Sequence, residues 1–219
     1  MRNRFDRQLD ELNTRLVQMG RLCETAIQKA TQALQNNALD MATDIIDSDE
    51  DINRAEKAIE TLCLRLLMEQ QPVARDLRQI SAALKMITDL ERIGDWASDI
   101  AEIILSSGEV PSGEYPNVVK MSEAASKMVV EAVDAYVKRD LVLAKEVQEE
   151  DDIVDELFEQ NRNLLIGRIK ETSGKEATGA VDLIMITKYL ERIGDHAVNV
   201  AEWVEFSITG VHNGEMEGE

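Results

Sequence analysis

The hexapeptide Leu-Glu-Arg-Ile-Gly-Asp lies at positions 90–95 of this chain and recurs without change at positions 190–195. The first copy continues as Trp-Ala-Ser-Asp-Ile-Ala-Glu and the second as His-Ala-Val-Asn-Val-Ala-Glu, so the match extends beyond the hexapeptide. A single Glu-x-x-x-Asp spacing is common on solvated helix faces. Two copies with Arg and Gly in the same places are typical of an internal repeat. The chain is therefore expected to have two similar halves that carry paired sites.

The composition predicts an all-α protein. Only three Pro and eleven Gly interrupt long stretches rich in Ala, Leu, Ile, Glu and Lys, and aromatic residues amount to 4%. Most of these residues are strong helix formers, and the apolar/polar alternation that marks strands is absent over any useful length. At 219 residues the chain can bury a sizeable core, as one large or two small domains.

Helix breakers divide the sequence into three predicted helices on each side of a linker at residues 106–113. The other breaks are expected at residues 36–37, 70–72, 115–117, 138–140 and 172–175. Helices of about 30 residues span about 45 Å, and short turns make neighbours antiparallel. We therefore expect two repeated three-helix bundles side by side, in residues 1–107 and 114–209, followed by a disordered tail in residues 210–219.

The net charge of −19, from 43 acidic and 24 basic residues, argues against nucleic acid as a partner, because the chain would repel a phosphate backbone. The first residues lack the apolar core of a signal peptide, and no apolar run is long enough to span a bilayer. We therefore expect a cytoplasmic protein without membrane insertion. Cys23 and Cys63 fall within apolar helical patterns, which predicts reduced core thiols rather than a disulfide.

The acidic residues of the repeat lie on one face of the third predicted helix. At about 100° per residue, Glu91, Asp95 and Glu102 fall within about 40° of one another. Apolar residues at positions 86, 90, 93, 97, 100 and 104 run along roughly the opposite side. This second apolar face is expected to contact another bundle or a second subunit, which is consistent with a homodimer. The sixth helix repeats the arrangement with Glu191 and Asp195.

Acidic stripes also follow the second helix, at Asp49, Asn53 and Glu56, and the fifth helix, at Asp151 and Asp155. If these stripes face those of the third and sixth helices, several carboxylates converge in each half. Like charges near a core destabilise the fold unless a positive charge lies among them. Either metal cations or the arginine of each hexapeptide supplies that charge. An all-oxygen ligand set would select hard ions such as Mg²⁺, Mn²⁺, Ca²⁺ or iron, and it argues against structural zinc.

Glycine lies between the two acids of each hexapeptide, at Gly94 and Gly194. In the middle of a helix, glycine costs about 0.5 to 1 kcal/mol relative to alanine, so its presence in both copies indicates a close approach of backbones there. Tight helix packing without any ligand would explain the glycine, but it does not explain the acids on either side.

A metal enzyme of the helical-bundle type, an oxidase or a hydrolase, is the alternative function. Ferritin-like di-metal oxidases use Glu-x-x-His pairs, and neither half contains one. The nearest approach joins Glu191 to His196, and the equivalent of His196 in the first repeat is Trp96. His196 is therefore expected to be a packing or surface residue. Gly-rich phosphate loops and nucleophile motifs are also absent, whereas a hydrolase that uses metal-activated water stays open.

Together these residues resemble the PhoU proteins, which are accessory and regulatory proteins of phosphate transport. The resemblance covers essentially the whole chain, and two such units in a chain of this length make it specific. Besides both copies of Glu-Arg-Ile-Gly-Asp, it rests on Met19 and Gly20, Glu24, Asp49, Ile52 and Asn53, Gln71 and Pro72, and Asp76, Leu77 and Arg78.

The resemblance implies two three-helix bundles, multinuclear metal sites and a negative regulatory role in the phosphate-starvation response, without enzymatic activity. The metals would be divalent or trivalent hard ions, Mg, Mn or Fe. The implied partners are the sensor histidine kinase of the phosphate two-component system and the ATPase subunit of the phosphate-specific ABC transporter. Asn199 stands where the first repeat has Asp99, so the two sites are expected to differ. The implied ligands are Asp49, Glu91, Asp95 and Asp99 for one site, and Asp151, Asp155, Glu191 and Asp195 for the other.

Overall fold

Six helices account for nearly all of the residues that the computed structural model describes, which are 2–70, 73–107 and 116–212. No strand occurs in these three ranges, and each break predicted within them coincides with the end of a helix. Most of the predicted linker lies outside them. The helices are α1 (Arg2–Asn36), α2 (Leu39–Gln70), α3 (Ala74–Ser107), α4 (Pro116–Lys138), α5 (Leu141–Glu171) and α6 (Lys175–Thr209). The all-α prediction is confirmed.

The helices form two three-helix bundles that share one continuous apolar core. One bundle consists of α1, α2 and α3, and the other of α4, α5 and α6. The bundles meet where α3 packs against α6 and α1 against α4, whereas α2 and α5 pack on the helices of their own bundle. Fully buried side chains such as Leu16 and Ile193 fill the space between the layers. The predicted pair of bundles side by side is confirmed.

The turns are short and chemically specific. At the start of α5, the Asp140 carboxylate accepts hydrogen bonds from the backbone N–H groups of Val142 and Leu143, at 3.0 and 3.1 Å. This cap satisfies donors that the first turn of a helix leaves free. Just before the cap, Arg139 adopts a left-handed backbone with φ 55°, and Asn37 does the same between α1 and α2 with φ 48°. These turns reverse the chain within two or three residues and place consecutive helices antiparallel.

The contact between α3 and α6 joins the two bundles through an aromatic pair and an acid–histidine pair. Trp96 stacks on Tyr189 with ring centroids 5.2 Å apart. Asp89 accepts a hydrogen bond from Asn199 Nδ2 at 3.2 Å and lies 2.9 Å from His196 Nδ1. Because equivalent positions differ by 100, the aromatic pair and the acid–histidine pair occupy equivalent places in the repeat. The prediction that His196 packs, rather than binding a metal, is consistent with this contact.

Both cysteines are buried and free, as predicted. The Cys23 thiol donates a hydrogen bond to the Leu90 carbonyl at 3.2 Å. Burial raises the pKa of each thiol to about 12, so both stay protonated at neutral pH.

The described chain continues a short way past α6. Gly210 ends this helix in a left-handed conformation with φ 84°. The His212 ring then lies over Trp203, with centroids 4.0 Å apart. Residues 210–212, which the sequence assigns to a disordered tail, therefore pack back on α6, and residues 213–219 lie outside the described ranges. None of the described helices is both long and apolar enough to cross a membrane.

Candidate metal centres

The acidic stripes of α2 and α3 face each other, as the sequence predicts. Burial raises the pKa of the Asp49 carboxyl, and the nearby Asp95 carboxylate raises it further. Burial also raises the pKa of Glu91, with additional contributions from Asp95 and then Glu56. Two carboxylates from α2 and two from α3 therefore share one electrostatic environment, which we call the first cluster.

Asp99 belongs to the same cluster. Burial raises the pKa of its carboxyl, and Glu102, Asp95 and Asp49 raise it further. The sequence places Glu56 on the same helix face as Asp49, although the predicted ligand set does not include Glu56. The spacing in the sequence predicts this position of Glu56, because it lies seven residues after Asp49 and two turns of a helix return to the same face.

A buried, unpartnered oxygen lies at the centre of the first cluster. Asp49 Oδ2 accepts a hydrogen bond from Asn53 Nδ2 at 2.8 Å, but Asp49 Oδ1 is buried with no partner. A Cβ atom built on Gly94 would lie 3.3 Å from this oxygen and 2.8 Å from Ile52 Cδ1. The predicted close approach at the repeat glycine is confirmed, and it buries a carboxylate oxygen that lacks compensation.

The second cluster repeats this geometry between α5 and α6. Asp151 Oδ1 is again buried without a partner, and a Cβ on Gly194 would lie 2.8 Å from it. Burial raises the pKa of Asp151 to about 6, with further contributions from Asp155, Asp195 and Glu191. All four acids predicted for this half are therefore neighbours in the structure.

The two clusters differ in their positive charges. In the second cluster the Lys188 ammonium contacts the Glu191 carboxylate. The same ammonium counteracts the rise in the pKa of Asp195 that burial causes. The first repeat has Thr88 at the equivalent position, which carries no charge. The second cluster also lacks an equivalent of Asp99, because Asn199 points to Asp89 across the bundle interface.

The donor set fits a hard cation in its chemistry and charge. All the clustered donors are carboxylate oxygens, and each cluster contains one buried oxygen without a partner. Within the described residues, however, no three Asp, Glu, His or Cys side chains are already close enough to share one ion. The structure thus groups the eight predicted residues into two sets, and their role as ligands stays a prediction.

Comparisons with known proteins agree with the two-bundle organisation. A family model described as PhoU domain matches residues 16–104 and again residues 118–204, one match in each bundle. A protein from Clostridium acetobutylicum, named phosphate-specific transport system accessory protein PhoU homolog, is 38% identical over 208 residues, covering 94% of this chain and 94% of that protein. A protein of the same name from Aquifex aeolicus is 39% identical over 187 residues, covering 85% of this chain and 84% of that protein.

The fold is also similar to a solved structure. The crystal structure of PhoU from Pseudomonas aeruginosa matches with a TM-score of 0.87 and 35% sequence identity, covering 94% of this chain and 100% of the crystallised chain. The names of these relatives describe accessory proteins and not enzymes. The metal-enzyme alternative that the sequence left open gains no support from them.

Alanine substitutions at two glycines within helices should have different effects on stability. Gly167→Ala places a Cβ where nothing lies within 4 Å, so the better helix propensity should raise the free energy of unfolding by about 0.5–1 kcal/mol. Gly194→Ala places its Cβ 2.8 Å from Asp151 Oδ1 and should gain less, or lose stability, by displacing that carboxylate. Urea unfolding measures both changes. Equal gains would contradict the close approach of α5 to α6.

The raised pKa of Asp151 predicts a pH dependence in chelator-treated protein. Because this carboxyl titrates at about 6 in the fold and ordinarily at 3.8, its contribution to stability is fully present below about pH 4 and is lost as the pH rises through about 6. Asp151→Asn should therefore raise the melting temperature at pH 7 and change it little at pH 4. Asp44→Asn, at an exposed position on α2 far along the sequence from Asp151, is the control. The same pH profile in both variants would be inconsistent with this assignment.

Proposed function

The chain belongs to the PhoU family, and from that premise we propose that it is an accessory protein of a phosphate-specific transport system. In this role it acts in the cytoplasm as a negative regulator, holding phosphate uptake and phosphate-starvation signalling low when phosphate is plentiful. The observation that carries the proposal is the duplicated carboxylate cluster on a fold shared with the PhoU crystal structure. Burial raises pKa values in both clusters, which marks them as sites that favour a compensating positive charge.

Metal binding is the first part of the proposal. Asp49, Glu56, Glu91, Asp95 and Asp99 would hold hard ions such as Mg, Mn or Fe between α2 and α3. The four acids of the second cluster would do the same between α5 and α6. A bound cation supplies charge that offsets the repulsion among the carboxylates. Through these ions the carboxylates would hold α2 against α3 and α5 against α6, and would keep the surfaces of each bundle rigid. We call this arrangement the clamp.

An adaptor role is the second part of the proposal. The partners would be the sensor histidine kinase of the phosphate two-component system and the ATPase subunit of the transporter, with the protein itself acting as a homodimer. Exposed apolar side chains support protein–protein contact. Leu64 and Met68 lie one turn apart on α2 and are 48% and 81% exposed, and Val181 and Met185 lie one turn apart on α6 and are 48% and 41% exposed. Such side chains commonly mark interaction surfaces when they occur in groups.

Metal content distinguishes the clamp from a purely structural role of the acids. Protein purified in the presence of Mg, Mn and Fe should contain metal, and Glu91→Ala/Asp95→Ala or Glu191→Ala/Asp195→Ala should each lose the share held by one cluster. Elemental analysis by mass spectrometry gives the stoichiometry. The matched control is Asp6→Ala/Asp10→Ala, which removes two exposed acids at the same spacing on α1. Unchanged metal content in both cluster variants would reject the clamp.

Pull-down experiments test the adaptor role. The tagged full-length chain should retain the transporter ATPase subunit and the cytoplasmic part of the sensor kinase, more strongly at high phosphate. Met185→Glu places a charge in the exposed apolar pair on α6 and should weaken retention of at least one partner about tenfold or more, because burying an unpaired charge is unfavourable. Val142→Glu, at an apolar position that is 66% exposed on α5, is the control. Retention of neither partner by the unmodified chain would refute the proposed function.

A further inference from the structure

Three arginines gather at the end of the molecule where α3 begins and α4 ends. Arg139 Nη1 donates a hydrogen bond to Gln79 Oε1 at 3.4 Å. On α3, Arg75 lies four residues before Gln79 and three residues before Arg78, so it is a neighbour of both on the helix surface. The Arg139 guanidinium group, from the turn after α4, is therefore placed near two guanidinium groups of α3.

The Arg78 side chain packs against the end of α6. Atoms Cδ, Nε and Cζ of Arg78 lie 3.6 to 3.8 Å from the position of a Cβ on Gly210. The Nε atom is buried and has no hydrogen-bond partner. A buried donor on a charged group without an acceptor is unfavourable in free energy, so the charge of Arg78 is poorly compensated within the fold.

The position of Arg139 is also fixed by the fold. The Tyr136 hydroxyl, on a ring that is only 1% exposed, donates a hydrogen bond to the Gln79 carbonyl at 2.8 Å and ties the end of α4 to α3. Arg139 follows in a left-handed backbone, directly before the Asp140 cap of α5. Its side chain therefore starts from a constrained turn and not from a freely moving surface segment.

The charges of the three arginines are poorly compensated. Burial lowers the pKa of Arg139, and repulsion from Arg75 and Arg78 lowers it further, while Asp76 acts in the opposite direction. None of the three arginines forms an ion pair with a carboxylate in the described residues. In a chain with a net charge of −19, three gathered arginines without a carboxylate partner are an exception that indicates an anionic ligand.

We infer that Arg75, Arg78 and Arg139 form a binding site for inorganic phosphate at the N-terminal end of α3. Arginine forks bind phosphate oxygens in pairs, and the free N–H groups of a helix N-terminus favour the same ligand. Asp76 adds selectivity, because the proton that phosphate retains near neutral pH can be donated to its carboxylate, and sulfate has no such proton. The choice of phosphate among the oxyanions rests on the proposed function in phosphate transport. Phosphate bound at this site would let the protein respond directly to the phosphate concentration.

Titration calorimetry of inorganic phosphate into the full-length protein tests the site. We expect saturable binding that Arg75→Gln/Arg139→Gln weakens about tenfold or more, because the double variant removes two charge-assisted contacts to the anion. Arg21→Gln/Arg54→Gln removes the same charge from two exposed positions and should bind like the unmodified protein. Arg75→Lys/Arg139→Lys keeps the positive charges and the fold but lacks the paired N–H donors of the guanidinium groups. This variant should also bind phosphate more weakly than the unmodified protein.

Two further variants separate this site from the carboxylate clusters. Glu91→Gln/Asp95→Asn should leave phosphate binding unchanged, and Asp76→Asn should reduce the preference for phosphate over sulfate. Absence of phosphate binding, or its loss in the Glu91/Asp95 variant but not in the arginine variants, overturns the inference. If the protein does not bind phosphate but still retains the kinase and the transporter subunit in the pull-down, only this site is rejected. Arginine-dependent phosphate binding without retention of either partner would reject only the adaptor function.

Discussion

In each half of the molecule, one carboxylate oxygen is buried against a glycine without a hydrogen-bond partner, and the surrounding structure depends on this contact. Asp49 faces Gly94 and Asp151 faces Gly194. The glycine lets two helices approach so closely that a Cβ atom in its place would lie 3.3 Å from the oxygen in the first half and 2.8 Å from it in the second. Burial and the neighbouring acids raise the pKa values of Glu91 and Asp151, and the nearby basic side chains offset this only in part. A cation bound there, as proposed above, would offset the repulsion among these carboxylates.

The two halves share this constraint but have diverged in what surrounds it. Lys188 partly neutralises the second cluster, whereas its equivalent in the first cluster is Thr88. At the bundle interface, the Trp96–Tyr189 stack occupies the place that the Asp89–His196 contact has in the other repeat. The duplication therefore preserves the helix spacing and the acidic pair, while the interface residues have changed to make one asymmetric contact. Two related sites with different charge balance are the physical consequence.

Charge is also separated along the molecule. The carboxylates concentrate in the middle of the α2–α3 and α5–α6 pairs, while Arg75, Arg78 and Arg139 gather where α3 begins and α4 ends. Part of the first cluster (Glu91, Asp95 and Asp99) and two of the arginines (Arg75 and Arg78) lie on α3, a single continuous helix of 34 residues that also packs against α6. A ligand at the arginines and a cation at the carboxylates would thus act on the same rigid element.

The sequence by itself determined the six helices, the twofold repeat, the buried thiols and the acidic faces, because helix ends and periodicity depend on neighbouring residues in the chain. It also indicated the close approach at Gly94 and Gly194, since glycine in mid-helix is unfavourable without a reason. Only the tertiary structure decided that α3 packs against α6, that the acidic faces of α2 and α3 converge, and that residues 210–212 pack on α6. The sequence likewise did not predict the arginine group. Its members come from α3 and from the turn after α4, and the packing of these two elements depends on side chains throughout the core.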